Sequence, residues 1–227
     1  MQIVNKPDLK TIAGQLRKPS GKMAEQIAAK MNVINNSLYD FVLDVMNLRE
    51  NENILEVGFG NGKFFSKLFS RSPNLRINGI DYSTEMVKAA IENNKNEIKT
   101  GRLKLHRGNS NDLPYQDEYF DKVFCNNVIY FWDHPGRHLK EINRVLKPGG
   151  KFYSGLRSKE STQAMPFSKF GFNLYETDEW RSLLRNNGFD FIGAKQKYDP
   201  VIEDEGEEYH LESICYIGEK NKPGIIN

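Results

Sequence analysis

The 227-residue chain has little of what marks a membrane, secreted or metal-binding protein. No apolar run approaches the ~18 residues that a membrane-spanning helix needs. The N-terminus has scattered basic residues and no apolar core, so it does not read as a secretory leader. Cysteine is scarce, with Cys125 and Cys215 alone. Two thiols so far apart offer neither a metal-ligand spacing nor a disulfide framework, and they read as reduced, buried residues of a cytoplasmic protein. Net charge is small too, +2 from 32 basic and 30 acidic residues. That removes a global electrostatic case for nucleic acid. Internal repeats and low-complexity linkers are absent. What is present, 38% hydrophobic and 27% charged residues, suits one α/β domain with a sizeable core.

Charge is uneven locally. Lys6, Lys10, Arg17, Lys18, Lys22 and Lys30 outnumber Asp8 and Glu25 near the start. Glu203, Asp204, Glu205, Glu207 and Glu208 make an acidic run near the end. Both read as solvated segments, a terminus and a hairpin loop.

The most telling stretch is Asn53 to Gly62. An aliphatic run, Ile54-Leu55-Glu56-Val57, breaks into Gly58, Gly60 and Gly62, and Phe64, Phe65, Leu68 and Phe69 follow with helical spacing. Glycines at such a strand–turn–helix junction tolerate positive φ and let a ligand approach the backbone. About 20 residues further on, Asp81 ends a second strand-like run, where a carboxylate can accept hydrogen bonds from both hydroxyls of a ribose. An adenosine-containing ligand follows from the pair.

Before this stretch the first 20 residues lack clear periodicity. A helix capped by Ser20 carries Met23, Ala24, Ile27, Ala28 and Met31, and a second runs from Ser37 to Leu48. Strands are expected at Asn53–Val57, Arg76–Asp81, Leu103–Arg107, Asp121–Asn126, Lys151–Leu156, Phe189–Lys195 and Leu211–Ile217. Intervening helices start near Gly62, at Ser83, at Asp133 as cap with Pro135 early, and at Asp178. The third of these stops at Lys147-Pro148-Gly149-Gly150. Alternation of this kind argues a doubly wound, mostly parallel sheet with helices on both faces, closed by an antiparallel hairpin. The segment Arg157 to Thr177 has no clear periodicity, and long loops of that sort tend to be functional or mobile.

Three nucleotide-binding patterns compete for the glycine turn. The P-loop needs G-x-x-x-x-G-K-[ST], but Val57 and Phe64 occupy required positions. The dinucleotide pattern G-x-G-x-x-G/A fails in both frames, at Lys63 or at Phe65. The third pattern is acidic-x-Gly-x-Gly-x-Gly, at Glu56, Gly58, Gly60 and Gly62. There the chain resembles the class I S-adenosylmethionine-dependent methyltransferases. The resemblance extends through Gly79-Ile80-Asp81-Tyr82-Ser83, through Gly108 to Tyr115, through Phe120-Asp121-Lys122-Val123 and through Leu146 to Gly150. It covers roughly residues 50–156 in the family's order and is similar to small-molecule methyltransferases, including the branch that methylates quinone precursors.

That resemblance implies a Rossmann-like α/β fold with a seven-stranded sheet, parallel except for its seventh strand. It implies a single domain: 1–50 a helical cover, 51–156 a cofactor-binding core, and 157–227 a substrate loop, last helix and terminal hairpin. It implies S-adenosyl-L-methionine as cofactor. Gly58, Gly60 and Gly62 would bind it, the first two packing beneath its methionine and ribose portions, and Asp81 would hold the ribose. Tyr82 and Met86 would meet the adenine, although Met86 also suits a core position. Asn109, where the family often has Asp, can still accept from the adenine amino group, and the Ser110 backbone N–H can serve a ring nitrogen. Asn126 would lie near the methionine part. Glu56 either holds backbone N–H groups or meets the cofactor's amino end.

The acceptor half is less legible. The segment Asn127 to His134 borders the expected transfer site and lacks the Asn/Asp-Pro-Pro-Tyr motif of many amino-methylating nucleic-acid enzymes, which disfavours a DNA base or a protein glutamine as acceptor. Two cysteines are too few for an arsenic-methylating thiol cluster. Tyr130 and His134 are the candidate proton acceptors, with His134 more simply an exposed residue in a first helical turn. Met165, Phe167, Phe170, Phe172 and Tyr175 suggest either an apolar or aromatic small substrate or a packed lid. Methylation of tRNA or protein, an NAD-dependent oxidoreductase and a non-catalytic nucleotide-binding protein are the alternatives. Oligomeric state is not legible.

Overall fold

A computed structural model describes residues 7–204 and 206–222. Lys6 and Glu205 of the charged runs lie outside the described residues. Seven strands form one sheet: β1 (Asn53–Val57), β2 (Arg76–Asp81), β3 (Leu103–Arg107), β4 (Phe120–Asn126), β5 (Leu146–Arg157), β6 (Phe189–Tyr198) and β9 (Glu212–Lys220). Their order is β3-β2-β1-β4-β5-β9-β6. β1 to β5 pair in parallel, and β9 runs antiparallel between β5 and β6. The expected seventh strand, Leu211–Ile217, is β9.

Neighbouring strand residues point to opposite faces, and here both faces are covered. Leu55, Val123, Cys125 and Phe152 join helices α7 (Pro135–Val145) and α9 (Thr177–Arg185) in one core through Leu139, Ile142, Trp180 and Leu184. Ile54, Ile77, Phe124 and Tyr153 join α3 (Asn36–Met46) and α4 (Phe65–Arg71) in the other. Two buried faces explain why the strands read as nearly continuous apolar runs. They also place α3 against the sheet: Leu38 and Val42 are fully buried, so the helical cover includes a helix packed into the core.

Several boundaries differ from expectation for identifiable reasons. A helix, α1 (Leu9–Arg17), forms where the sequence has no clear period; the Asp8 carboxylate accepts from Thr11 N at 2.7 Å and caps it. It buries only Ala13, so capping and docking rather than a strong apolar stripe hold it. The Pro148-Gly149-Gly150 stop lies inside β5, not after the helix. Leu146 already pairs with Phe120, and the register shifts before Lys122 meets Lys151, with Gly149 at φ 76°; this is a bulge in the ladder. His134, not Asp133, is the N-cap residue of α7. Ser20 precedes a 3-10 turn, Gly21–Met23, without a side-chain cap bond, and α2 (Ala24–Ile34) follows. The 157–177 segment contains α8 (Lys159–Gln163) and a 3-10 turn, Pro166–Lys169. The acidic run forms a separate hairpin of β7 (Ile202–Asp204) and β8 (Glu207–Tyr209).

Candidate functional site

The carboxyl ends of β1, β2 and β4 open onto one cavity, where ligands bind in open α/β sheets. In the turn between β1 and α4, Gly58, Gly60 and Gly62 all have positive φ, 74°, 57° and 67°, a region that disfavours a side chain. Their surroundings separate their roles. A Cβ on Gly60 would meet nothing within 4 Å, since this residue faces open cavity. A Cβ on Gly58 would strike Val128 at 2.4 Å. One on Gly62 would sit 2.8 Å from both Ala90 and Asn94 of α5 (Thr84–Asn93) and its cap. Gly62 does not line the cavity; its task is close packing.

Asp81 is 7% exposed at the end of β2. One carboxylate oxygen accepts from Gly60 N and the other from Ser83 N, both at 2.9 Å. Burial pushes its pKa up to about 6, against those backbone donors. The carboxylate keeps accepting capacity beyond these donors, and the residue lines the cavity. Ser83 caps α5 through Met86 N. Tyr82 and Met86 also line the space, and Met86 packs on Ala24 and Ala28 of α2 as well, serving both roles left open for it.

On the opposite wall Asn109 Oδ1 accepts from Asn111 N at 3.3 Å, a local turn that leaves its amide nitrogen free of that bond. Ser110 Oγ lies 2.7 Å from His138 Nδ1. At the end of β4, both amide atoms of Asn126 are buried without a partner among the described residues. The amide has room because residue 155 is glycine: a Cβ there would lie 2.2 Å from Asn126 Oδ1. Unpaired buried groups cost about 1–3 kcal/mol each, so a cavity-lining amide in this state fits a ligand with both a donor and an acceptor. A glycine floor, a carboxylate with free lone pairs and an unpaired amide together fit the hydroxyls and amino-acid end of S-adenosyl-L-methionine.

Besides Gly62, which was expected at the cofactor and instead packs on α5, two expected residues stand apart. Glu56 is buried outside the cavity lining and accepts from Tyr39 Oη at 2.8 Å. Burial raises its pKa to about 8, with Tyr39 opposing and Asp81 assisting. Tyr130 is also outside the lining. Its hydroxyl accepts from Arg157 N at 2.7 Å and donates to Arg157 O at 3.0 Å, and burial drives its pKa upward. It pins the start of the 157–177 segment rather than presenting a base. His134 is at the cavity rim, exposed.

The 127–134 segment, expected beside the acceptor, supplies further lining residues. Asn127, at φ 55°, donates through Nδ2 to Asn35 Oδ1 at 2.9 Å, and Val128, Phe131 and Trp132 complete that side. Residues 17–19 cross the mouth. Arg17 Nη2 pairs with Asp133 at 2.6 Å, Tyr82 Oη donates to Arg17 O, and Ser83 Oγ donates to Pro19 O at 2.6 Å. Asp133 was visible in the sequence, but nothing local marks a partner 116 positions away. Phe172 packs on Phe131 and Tyr130 with ring centroids 4.8 and 5.6 Å apart, and Phe167 packs on Phe172. Of this aromatic cluster only Phe131 lines the cavity, so the loop acts as a packed cover behind it. Among the described residues, no group of three or more His, Cys, Asp or Glu is placed to hold a metal ion, and no helix is long and apolar enough to cross a membrane.

Comparison with known proteins agrees with this geometry. Residues 55–154 match the family model described as a methyltransferase domain. An uncharacterized methyltransferase of Bacillus subtilis, YdaC, is 29% identical over 127 residues, 56% of this chain and 68% of the relative. The ubiquinone/menaquinone biosynthesis C-methyltransferase UbiE of Geotalea daltonii is 31% identical over 119 residues, 52% of this chain. The chain spans about half of that relative's length, 51%. Among solved structures, a complex between the Haloferax volcanii Trm112 methyltransferase activator and a methyltransferase contains a chain similar in fold. Its TM-score is 0.76 at 20% identity, over 95% of this chain and 99% of that one.

Proposed function

The chain carries a class I S-adenosylmethionine-dependent methyltransferase domain, similar to the quinone-biosynthesis branch, and from that premise we propose that it methylates a small molecule with an apolar or aromatic body. The observation that carries this reading is the wall beyond Asn126. Val128, Phe131 and Trp132 offer apolar surface, Asn35 and Asn127 offer amides, and the Arg17–Asp133 pair crosses the mouth. Ligand sites of this kind are mostly apolar with a few placed polar groups.

S-adenosyl-L-methionine, when bound, supplies a methyl group activated by a sulfonium, and its transfer is an in-line displacement. The protein's own work is then mainly proximity and alignment. Gly60 leaves the floor open, Asp81 holds ribose hydroxyls, and the Asn126 amide takes the amino-acid end. Tyr82, Met86, Asn109 and Ser110 enclose the base. His134 is the candidate proton acceptor that reaches the cavity; Tyr130 is committed to the backbone of Arg157.

The test is a transfer assay with cofactor labelled in the methyl group, offered a panel of phenols and quinone precursors beside bulk tRNA and protein. Label in an organic-soluble product is expected. Label that enters only tRNA or protein would overturn the small-molecule reading and favour the macromolecular one.

A further inference from the structure

The inner face of α7 carries a histidine that the reading above does not use. His138 is 7% exposed and lies flat on the Trp132 indole, with centroids 4.6 Å apart and planes 6° from parallel. Its Nδ1 is 2.7 Å from Ser110 Oγ, in a buried bond, and both residues line the cavity. Burial lowers its pKa to about 4, so the ring is neutral at physiological pH and keeps one donor and one acceptor nitrogen.

The segment that His138 grips has no regular structure of its own. It leaves β3 with Gly108 N bonded to Asp81 O at 3.0 Å and turns on itself through Asp112 N to Asn109 O at 3.1 Å. α7 then holds it further along as well, at Leu113, Tyr115 and Asp117. Glu141 Oε2 accepts from Leu113 N at 2.8 Å, and Arg144 Nη2 donates to Leu113 O at 2.9 Å, where the segment moves away from the cavity. His138, one helical turn earlier, holds Ser110 inside the cavity. A loop that reads a base needs supporting contacts of this sort, because a misplacement of about 1 Å is enough to lose a directional hydrogen bond.

We propose that His138 is a positioning residue for base recognition: stacked on Trp132 and bonded to Ser110, it sets the 109–110 turn at the spacing that distinguishes adenine from other purines. The proposal rests on the assignment of this cavity to S-adenosyl-L-methionine. It adds that discrimination at the base depends on a helix-borne imidazole that contacts the turn rather than the turn alone.

The test compares calorimetric affinities for S-adenosylhomocysteine and its hypoxanthine analogue, S-inosylhomocysteine, in the wild type, His138→Phe, Ser110→Ala and the double variant. Phenylalanine keeps a ring against Trp132 and removes the bond to Ser110. The wild type is expected to prefer the adenine ligand. Each single variant should weaken that ligand by roughly 3- to 10-fold, the worth of one hydrogen bond, and shrink the preference, with the double variant no worse than either single one. His138→Gln, which can still bond Ser110, should restore part of the preference. A purely structural histidine would lower the melting temperature and leave the adenine-to-hypoxanthine ratio unchanged, and that result, or strictly additive effects of the two substitutions, overturns the proposal. If His138→Phe does not fold, Ser110→Ala and His138→Gln carry the same comparison. A wild type that binds neither ligand overturns the cofactor assignment itself, and the proposal with it.

Discussion

The three glycines of one turn should fail in different ways when each gains a methyl group. Gly60→Ala and Gly62→Ala make the sharpest pair. Both residues have positive φ, 57° and 67°, so each substitution costs about 1–2 kcal/mol in backbone strain. For Gly60 nothing more is added, since no atom lies within 4 Å of the new Cβ. For Gly62 the Cβ arrives 2.8 Å from Ala90 Cβ, 2.8 Å from Asn94 Nδ2 and 3.1 Å from Ala90 Cα. The last is helix backbone and cannot swing away, and Asn94 Nδ2 is already bonded to Gly62 O at 3.0 Å. Overpacking of this sort adds about 1–3 kcal/mol, for a total of about 2–5 kcal/mol. At roughly 2–4 °C per kcal/mol for a domain of this size, Gly62→Ala should melt about 4–20 °C below the wild type. Gly60→Ala should lose a few degrees. Ligand binding should rank them in reverse, because only Gly60 lines the cavity. Folded Gly60→Ala should bind S-adenosylhomocysteine far more weakly, whereas folded Gly62→Ala should retain most of its affinity at low temperature. Thermal melts without ligand and calorimetry at about 10 °C give the two readouts. A Gly62→Ala protein that melts with the wild type, or a Gly60→Ala protein that binds normally, would refute the division of labour.

Three further outcomes follow from the same geometry. Glu56 holds its proton to about pH 8 in the folded state against an ordinary carboxyl value of 4.5, so the fold binds the extra proton between these values and its stability falls as pH rises from about 4.5 to about 8. Glu56→Gln should flatten that slope and be the more stable protein at pH 8; chemical denaturation at several pH values would show otherwise if the two slopes coincide. Arg157 and Asp199 form a buried ion pair that also engages Ser213 Oγ and Ile34 O. Arg157→Met leaves Asp199 charged and buried and should cost about 3–5 kcal/mol in urea titrations, and a loss below 1 kcal/mol would show that the site relaxes. The Arg17–Asp133 pair is exposed, so Asp133→Asn should leave the melting temperature unchanged while S-adenosylhomocysteine leaves the cavity faster in stopped-flow displacement. An unchanged off-rate would mean that the strap does not restrain the ligand.

The donor half of the site was legible in the sequence because its signals are local. A strand, a turn with positive φ and a helix start lie within a few residues of one another, and Asp81 ends the next strand in the same period. Such features follow from backbone sterics and hydrogen-bonding capacity, which each short segment carries with it. The seven strands of the main sheet, and that helices cover both their faces, were legible for the same reason, whereas the small β7–β8 hairpin reads as a loop.

Other assignments needed the folded chain. Gly60 and Gly62 look alike in sequence, yet one faces the cavity and the other faces Ala90. Glu56 could have faced a ligand, but Tyr39 of α3 reaches it first. Tyr130 is a plausible base by composition and is disarmed by the backbone of Arg157, 27 positions later. α1 lacks a persuasive period and takes its place by docking, and with it Arg17 comes to face Asp133. The sequence by itself determined the fold class, the glycine turn and the carboxylate at the end of the second strand, because periodicity and turn chemistry act over a few residues. Only tertiary structure decided which side chains remain free for a ligand, since a polar group is spent or available according to partners that the chain brings from far away.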